Sequence, residues 1–259
     1  MAEVLVAGGT GQSGAKVVKE LLHRGHSVRV LTRHGGAPGT PIAHYPGDLI
    51  TGEGLADALT GVDAVIDTTD GRTRATRPIF TDGARNLVGA AAEANVRRAV
   101  LLSIVNVERG DYAYYRAKFE QEQIYDGADL PTCIVRATQF HEFVPMIAAS
   151  TSRIGLLPAL SGTRFQTIDL RDVARALVDA ALSGGGVPNE PVVIGGPEVR
   201  TSKELTKAWK KAAGKRGLVL EIPMPGKLGK FFREESNIVE EHKFGTITFE
   251  QWLADTVRG

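Results

Sequence analysis

The amino-acid sequence predicts an α/β protein, a doubly wound parallel sheet with a small C-terminal cap. Short apolar runs alternate with segments of helical periodicity over the first half of the chain, which indicates βαβ units. Three glycines, Gly8, Gly11 and Gly14, follow the first apolar run and lead directly into the first helical stripe. Strand, glycine turn and helix in this order set a pyrophosphate on the N-terminus of a helix.

Each predicted element in this first part follows from a local pattern. Apolar runs predict strands at residues 4–7, 27–32, 42–45, 64–67, 100–105 and 133–137. Helical periodicity predicts helices that begin at Gly14, with Gly25 as the stop, and at residues 55–59, 79–94 and 112–125. A loop rich in Gly and Pro continues to Pro41.

Beyond residue 140 the alternation is less regular. Residues 165–169 and 192–194 are predicted as further strands of the sheet, with a helix at 172–182. The spacing of Thr201 and Glu204 forms a capping box that starts a helix to Ala213, and Thr248 and Gln251 start the last helix in the same way. The whole chain, 1–259, is predicted as one Rossmann-type domain, in which residues about 140–165 and 197–245 form the cap.

The composition excludes several classes of protein. With 259 residues and a net charge of +1, nothing indicates a nucleic-acid or membrane partner. A single cysteine excludes an internal disulfide and a Cys-rich metal site, so no metal is predicted. Neither a signal peptide nor a membrane span is recognised, so a cytoplasmic protein is expected. The expected partner is a small-molecule substrate, and the expected oligomeric state is a monomer or homodimer.

The end of the second predicted strand indicates which dinucleotide binds. NAD sites usually place Asp or Glu there to bind the ribose 2′-hydroxyl, whereas this chain has Thr32, Arg33 and His34. The Arg33 guanidinium can pair with a 2′-phosphate, so NADP(H) is predicted in preference to NAD(H), the alternative being a solvated arginine. Asp48, next to Leu49, either accepts a hydrogen bond from the adenine amino group or initiates the turn at Gly47.

Catalytic chemistry is indicated by Ser103, Tyr114 and Lys118. Tyr114 and Lys118 are four residues apart, so on a helix they share one face. A lysine ammonium there favours the phenolate form of tyrosine and can hold the ribose hydroxyls, while the tyrosine acts as general acid toward a carbonyl oxygen. Ser103, at the end of the preceding strand, can hydrogen-bond the same oxygen.

With these motifs the chain resembles the atypical short-chain dehydrogenases/reductases, in particular the NmrA-like NAD(P)H-binding branch. The resemblance covers the first half of the chain in the expected order, and more loosely residues 169–174 and 194–197. It implies that the turn residues Thr10, Gln12 and Ser13, together with Leu49, Thr68 and Thr69, line the dinucleotide. It also implies that Thr138 and Phe140 approach the nicotinamide. Some members of this branch sense the redox state of the cofactor pool without catalysis.

Other residues have two interpretations each. His141, beside Phe140 and Phe143, either faces a substrate as a donor or is an ordinary rim histidine. Cys133 is predicted to be a small core residue. The three arginines Arg72, Arg74 and Arg77 either attract a cofactor phosphate or an anionic substrate, or are solvated in a loop. Four aromatic residues either line a pocket of the cap or form its core: Trp209, Phe231, Phe232 and Trp252.

The sequence therefore predicts an NADPH-dependent oxidoreductase that reduces a small carbonyl, enone or quinone-like substrate. Tyr114 would be the proton donor, Lys118 would hold the nicotinamide ribose, and His141 and Phe143 would contact the substrate. One alternative is a non-catalytic NADP(H) sensor that passes cofactor binding to a protein partner. Another is an NAD-dependent epimerase or dehydratase, against which Arg33 counts.

Overall fold

The computed structural model describes residues 1–33, 42–71, 73–183 and 190–258. The predicted loop up to Pro41, with His34, and the Arg72 of the arginine group lie outside the described residues. No helix within these described ranges is long and apolar enough to cross a membrane.

Strands and helices alternate along the described chain. The strands are β1 (Glu3–Ala7), β2 (Ser27–Thr32), β3 (Ala43–Pro46), β4 (Ala64–Asp67), β5 (Arg98–Ile104), β6 (Thr132–Ala137), β7 (Leu156–Leu160), β8 (Arg164–Phe165), β9 (Val192–Ile194), β10 (Arg200–Thr201) and β11 (Leu218–Ile222). The helices are α1 (Gln12–His23), α2 (Leu55–Leu59), α3 (Asp82–Glu93), α4 (Ala113–Asp126), α5 (Phe143–Ala148), α6 (Leu170–Leu182), α7 (Ser202–Ala212), α8 (Gly226–Arg233) and α9 (Phe249–Arg258).

The central sheet confirms the predicted fold class. Its order is β3-β2-β1-β4-β5-β6-β9, and the pairs β1–β2, β2–β3, β1–β4 and β4–β5 are parallel. The chain moves outward from β1 in one direction to β3 and in the other through β4. Ligands of doubly wound sheets bind at the carboxyl ends of the strands where this reversal occurs, here β1 and β4.

The chain divides into two compact units. The first comprises Met1–Ser103, Ala113–Arg136 and Val173–Val192, and its core is formed by apolar side chains of the sheet and of helices α2 and α3, such as Leu5, Leu87 and Leu101. The second comprises Ile104–Tyr112, Ala137–Asp172 and Val193–Gly259, and it includes the ranges predicted as a cap.

Helix starts follow the local signals. Thr201 and Glu204 form both hydrogen bonds of the predicted capping box at α7, and Thr248 and Gln251 form the equivalent pair at the start of α9. The predicted helix at 79–94 instead begins at Asp82, because a 3₁₀ turn with Pro78 near its start precedes it.

One strand prediction was wrong. Residues 165–169 do not continue the central sheet: β8 ends at Phe165 and pairs antiparallel with β10 in a small separate sheet. The apolar pattern was correct about burial, since Phe165 and Ile168 are buried, but burial alone does not select the partner strand. Strands β7 and β11 run parallel in a second small sheet, and this pairing was not predicted.

Candidate functional site

The glycine turn lies between β1 and α1 and is closed by its own backbone. Gly8 has a φ of +75°, a left-handed conformation that favours glycine, and its carbonyl accepts from the Gly11 N–H at 2.9 Å. A Cβ on Gly14 would lie 2.7 Å from the Gly9 Cα and closer still to the Gly8 carbonyl oxygen. Gly11 starts α1 without a side-chain cap, and the first turn has no acidic residue. The positive end of the α1 helix dipole is therefore available to bind an anion.

The neighbouring strand ends present hydroxyl groups. Within the part of the chain that the structure describes, the buried hydroxyl oxygens of Thr32, Thr69 and Ser103 have no hydrogen-bond partner. Thr32 is the last residue of β2, Thr69 lies two residues beyond β4, and Ser103 is the last residue but one of β5. Thr68, by contrast, bonds its hydroxyl to the Ala7 carbonyl at 2.9 Å and packs against Gly8. Buried hydroxyls without partners, near the carboxyl ends of strands of one parallel sheet, fit a polar ligand such as a dinucleotide.

The residues predicted around the adenosine half have different surroundings. Arg33 directly follows β2 and is exposed. Thr10 and Gln12, which lie between Gly8 and Gly14, are exposed too. Asp48 Oδ1 accepts from the Ile50 N–H at 2.7 Å, which favours its interpretation as a turn residue. Leu49 is buried in the core of the first unit.

Tyr114 and Lys118 share one face of α4, as their spacing predicts, and both contact the ring of Phe80. The rings of Tyr114 and Phe80 meet edge to face at 5.5 Å, and the Lys118 ammonium lies 5.0 Å from the Phe80 centroid. The two polar groups have separate partners. The Tyr114 hydroxyl donates to Asp70 Oδ1 at 3.1 Å, and the Lys118 Nζ donates to Gln121 Oε1 at 2.6 Å.

Lys118 is a buried base with an unusual proton affinity. Burial lowers the pKa of its ammonium to about 8, although the nearby carboxylates of Asp67, Asp70 and Glu122 act in the opposite direction. Glu122 is itself paired with Arg136, with Nη2 to Oε2 at 2.6 Å. A lysine with this pKa remains mostly protonated at neutral pH and loses its proton near pH 8, where many enzymes are active.

Replacing Lys118 with Met tests this environment through stability. The folded-state pKa of about 8 lies below the ordinary 10.5, so between these values the unfolded chain binds more protons. The free energy of unfolding of the wild type, relative to that of the Lys118→Met variant, is therefore expected to rise from pH 8 to pH 10.5 by a total of about 3 kcal/mol. Denaturant unfolding at a series of pH values measures this difference, and parallel pH curves would contradict it.

Sequence reasoning missed the polar side chains behind Lys118. Asp67, Gln121, Glu122 and Tyr125 are all buried in the first unit. A signal was present, because residues 118, 121, 122 and 125 follow the spacing of one helical face. Polar residues at core spacing indicate a buried network, but the partner on β4 is not visible in that pattern.

The structure favours a structural role for His141, in the second unit. The ring is fully buried; Nδ1 lies 2.8 Å from Thr167 Oγ1 and Nε2 lies 3.1 Å from the Ile247 carbonyl. Its ring also contacts those of Phe249 and Trp252. Because both ring nitrogens have partners within the unit, no polar atom of this side chain is left to donate to a substrate.

The other residues predicted near the nicotinamide and substrate also lie in the second unit. Thr138 is buried and its hydroxyl accepts from the Gly196 N–H at 3.3 Å, while Phe140 forms a parallel bridge with Ile168. Phe143 is half-buried and packs edge to face on Phe165 at 5.5 Å. The four aromatic residues with two interpretations are buried, which favours the core interpretation: Trp209, Phe231, Phe232 and Trp252.

Two further predictions concern the first unit. Cys133 is buried in β6, as predicted, and burial raises the pKa of its thiol. Arg74 is exposed, as expected of a solvated arginine, whereas Arg77 is half-buried and its buried Nε has no partner among the described residues.

The chain is similar to known NAD(P)H-binding proteins. The profile of a family described as NAD(P)H-binding matches residues 8–183. A (4-alkanoyl-5-oxo-2,5-dihydrofuran-3-yl)methyl phosphate reductase of Streptomyces griseus is 33% identical over 218 residues, covering 82% of this chain and 74% of that protein. The photosystem II assembly factor Ycf39 of Trieres chinensis is 26% identical over 265 residues, covering 94% and 81%.

Solved structures agree on the fold. The NADPH complex of the quinone oxidoreductase QOR2 from Escherichia coli superposes with a TM-score of 0.74, over 98% of this chain and 99% of that one. The sequence identity is 16%, so this likeness concerns the fold alone.

Proposed function

Because the chain belongs to the NAD(P)H-binding family, we propose that it is an NADPH-dependent reductase of a small carbonyl, enone or quinone-like substrate. The observation that carries this proposal is the pairing on α4: the half-buried Tyr114, through its ring, and the buried Lys118 ammonium contact the same Phe80 ring. A proton donor and a fixed cation on one helix face are the groups that reduction of a polarised double bond requires.

The residues of the first unit have distinct tasks in this proposal. The uncapped start of α1 and the glycine turn would bind the pyrophosphate, and Arg33 the 2′-phosphate. The bound reduced nicotinamide would supply a hydride. Tyr114 would donate its hydroxyl proton to the substrate oxygen, so that hydride and proton together complete the reduction. The Lys118 ammonium would hold ribose hydroxyls and stabilise the resulting phenolate, and Ser103 would donate its unpartnered hydroxyl to the same oxygen.

One relative supports the substrate class. The Streptomyces griseus relative is named as a reductase of a dihydrofuranone that carries an acyl group, which is an unsaturated lactone. In that name the ring double bond is conjugated to the ketone of the alkanoyl group, an enone arrangement of the class predicted from the sequence. The first panel of substrates should therefore contain butenolides and other enones, with quinones and simple aldehydes beside them.

A second candidate function is a non-catalytic NADP(H)-binding protein that acts on a protein partner. The observation that favours it is the similarity to the assembly factor Ycf39, which extends over 94% of this chain. This candidate predicts tight binding that discriminates NADPH from NADP⁺, without turnover of any member of the substrate panel.

Calorimetric titration with NADPH, NADP⁺, NADH and NAD⁺ tests the cofactor. The wild type is expected to prefer NADPH, and Arg33→Ala is expected to weaken NADPH binding by about 10- to 100-fold, the effect of losing charge-assisted hydrogen bonds. Binding of NADH, which has no 2′-phosphate, should change little. Arg97→Ala is the matched control, because Arg97 is a surface arginine whose side chain is 82% exposed. Equal losses for NADPH and NADH would contradict the role of Arg33, and failure to bind any of the four would overturn the proposed function.

A further inference from the structure

The proposed mechanism uses Lys118 but not the buried polar side chains that connect it to the end of β4. Gln121 and Tyr125 are fully buried, and Asp67 is 1% exposed. Lys118 Nζ donates to Gln121 Oε1 at 2.6 Å, and Gln121 Nε2 donates to Asp67 Oδ2 at 2.9 Å. The Tyr125 hydroxyl donates to the same Oδ2 at 2.8 Å. These contacts form a continuous chain of hydrogen bonds that we call the Lys118–Asp67 relay.

The direction of each hydrogen bond in the relay is determined by Asp67. Its Oδ1 accepts from the Thr69 N–H at 2.9 Å, and its Oδ2 accepts from the Tyr125 hydroxyl and lies 2.9 Å from the Gln121 amide, which can approach a carboxylate oxygen only with its NH₂ group. Burial and the Asp67 charge raise the pKa of Tyr125 well above its ordinary value, so this hydroxyl remains a donor. Gln121 must therefore turn its NH₂ group toward Asp67, and its carbonyl oxygen is left facing Lys118.

An amide oxygen aimed at a buried lysine selects the charged form of that lysine. The oxygen has no hydrogen to offer, so it stabilises a group that donates. The ammonium always donates, whereas a neutral amine gives a weaker hydrogen bond and no attraction to the carboxylate beyond it. The amide thus transmits the negative charge of Asp67 to Lys118 without placing a second carboxylate against it.

We propose that Gln121 and Asp67 are positioning residues that hold the Lys118 ammonium in its place and in its charged form through this relay. The inference rests on the proposed function for its consequence, since the ammonium is the group assigned to the ribose and to the Tyr114 phenolate. The relay itself stands on the geometry of the first unit, so it can be tested without cofactor or substrate.

The charged groups facing Lys118 determine the sign of each test. From β4 and the segment after it come Asp67 and Asp70, and from α4 comes Glu122, which is paired with Arg136 of β6. The 3₁₀ turn that precedes α3 contributes the uncharged Phe80 ring. Burial outweighs the three carboxylates and brings the pKa of Lys118 to about 8, so loss of one acceptor moves the titration further down.

The direct test is titration of the lysine by NMR in the full-length protein. Lysine labelled with ¹³C at Cε gives a signal for Lys118 that is assigned by its absence in Lys118→Met. The midpoint is expected near pH 8 in the wild type. In Gln121→Leu it should fall by about one pH unit, a tenfold change in proton affinity. In Gln121→Glu, which keeps an acceptor and can add a charge, it should rise above that of the wild type.

Opposite shifts in the two variants separate the relay from a merely structural role, which would move both in the same direction or neither. Gln123→Leu is the matched control, since Gln123 lies on the exposed side of the same helix and its substitution should leave the midpoint unchanged. If Gln121→Leu does not fold, Gln121→Met, which keeps the length of the side chain but lacks the amide oxygen, replaces it with the same expected fall. A Lys118 midpoint that does not respond to either substitution would overturn the relay.

The consequence for function is measured by the affinity for NADPH across pH. In the wild type, affinity should decline as pH rises through about 8, and in Gln121→Leu the decline should begin about one pH unit lower. The two proposals fail separately. A wild type that does not bind NADPH overturns the proposed function while the NMR titration still decides the relay. A pH dependence of binding that is identical in both proteins overturns the link between the relay and the ribose.

Discussion

Replacing Tyr114 with Phe is expected to reduce kcat by about 10²- to 10⁴-fold, the usual contribution of a general acid. The Kd for NADPH should remain within about twofold, because the variant retains the ring and loses only the hydroxyl. The ring of Tyr114 packs edge to face on Phe80, and phenylalanine preserves that contact. Steady-state kinetics with the best substrate of the panel, combined with calorimetry of NADPH, separates the two effects.

Tyr112→Phe is the matched control for this experiment. Tyr112 is 44% exposed and lies two positions before Tyr114, ahead of the first residue of α4, so the same loss of a hydroxyl there should leave turnover unchanged. Unchanged turnover in Tyr114→Phe would remove this tyrosine from the mechanism. Loss of NADPH binding together with turnover would show instead that the hydroxyl serves the site through its hydrogen bond to Asp70.

Replacing Gly14 with Ala is expected to weaken NADPH binding by at least about 100-fold. The added methyl group would lie 2.7 Å from both the Gly8 carbonyl carbon and the Gly9 Cα, closer than real Cβ contacts come. These are backbone atoms of the same turn and cannot rotate away, so α1 must shift from its place against the turn. We expect this overpacking to lower the free energy of unfolding by about 1–3 kcal/mol as well.

Gly89→Ala controls for the effect of adding a methyl group to a glycine within a helix. Gly89 lies within α3, where an added Cβ would meet nothing within 4 Å. This variant should bind NADPH as the wild type does and be more stable by about 0.5–1 kcal/mol, the helix-propensity difference between glycine and alanine. Calorimetry and thermal unfolding of both variants test the pair. Normal NADPH affinity in Gly14→Ala would show that the glycine turn does not form the pyrophosphate site.

The sequence by itself determined the features that depend on residues close to one another along the chain. The periodicity of apolar residues located the strands β1 to β6 and helices α1 to α4, apart from shifts at their ends, because burial of one face repeats with the geometry of the element. The capping boxes at Thr201 and Thr248 and the glycine turn are equally local, since their partners lie within a few residues. The shared face of Tyr114 and Lys118 follows from helix geometry alone.

Only the tertiary structure decided which distant groups these residues meet. Gln121 and Asp67 are 54 positions apart, and His141 and Ile247 are 106 apart. Hydrophobic periodicity indicates that a side chain is buried, but not which distant residues it packs against. This is why residues 165–169 were assigned to the wrong sheet and why the sequence left His141 with two interpretations, a substrate-facing donor and an ordinary rim histidine. The lowered pKa of Lys118 has the same origin, because it depends on desolvation and on carboxylates supplied by other elements of the fold.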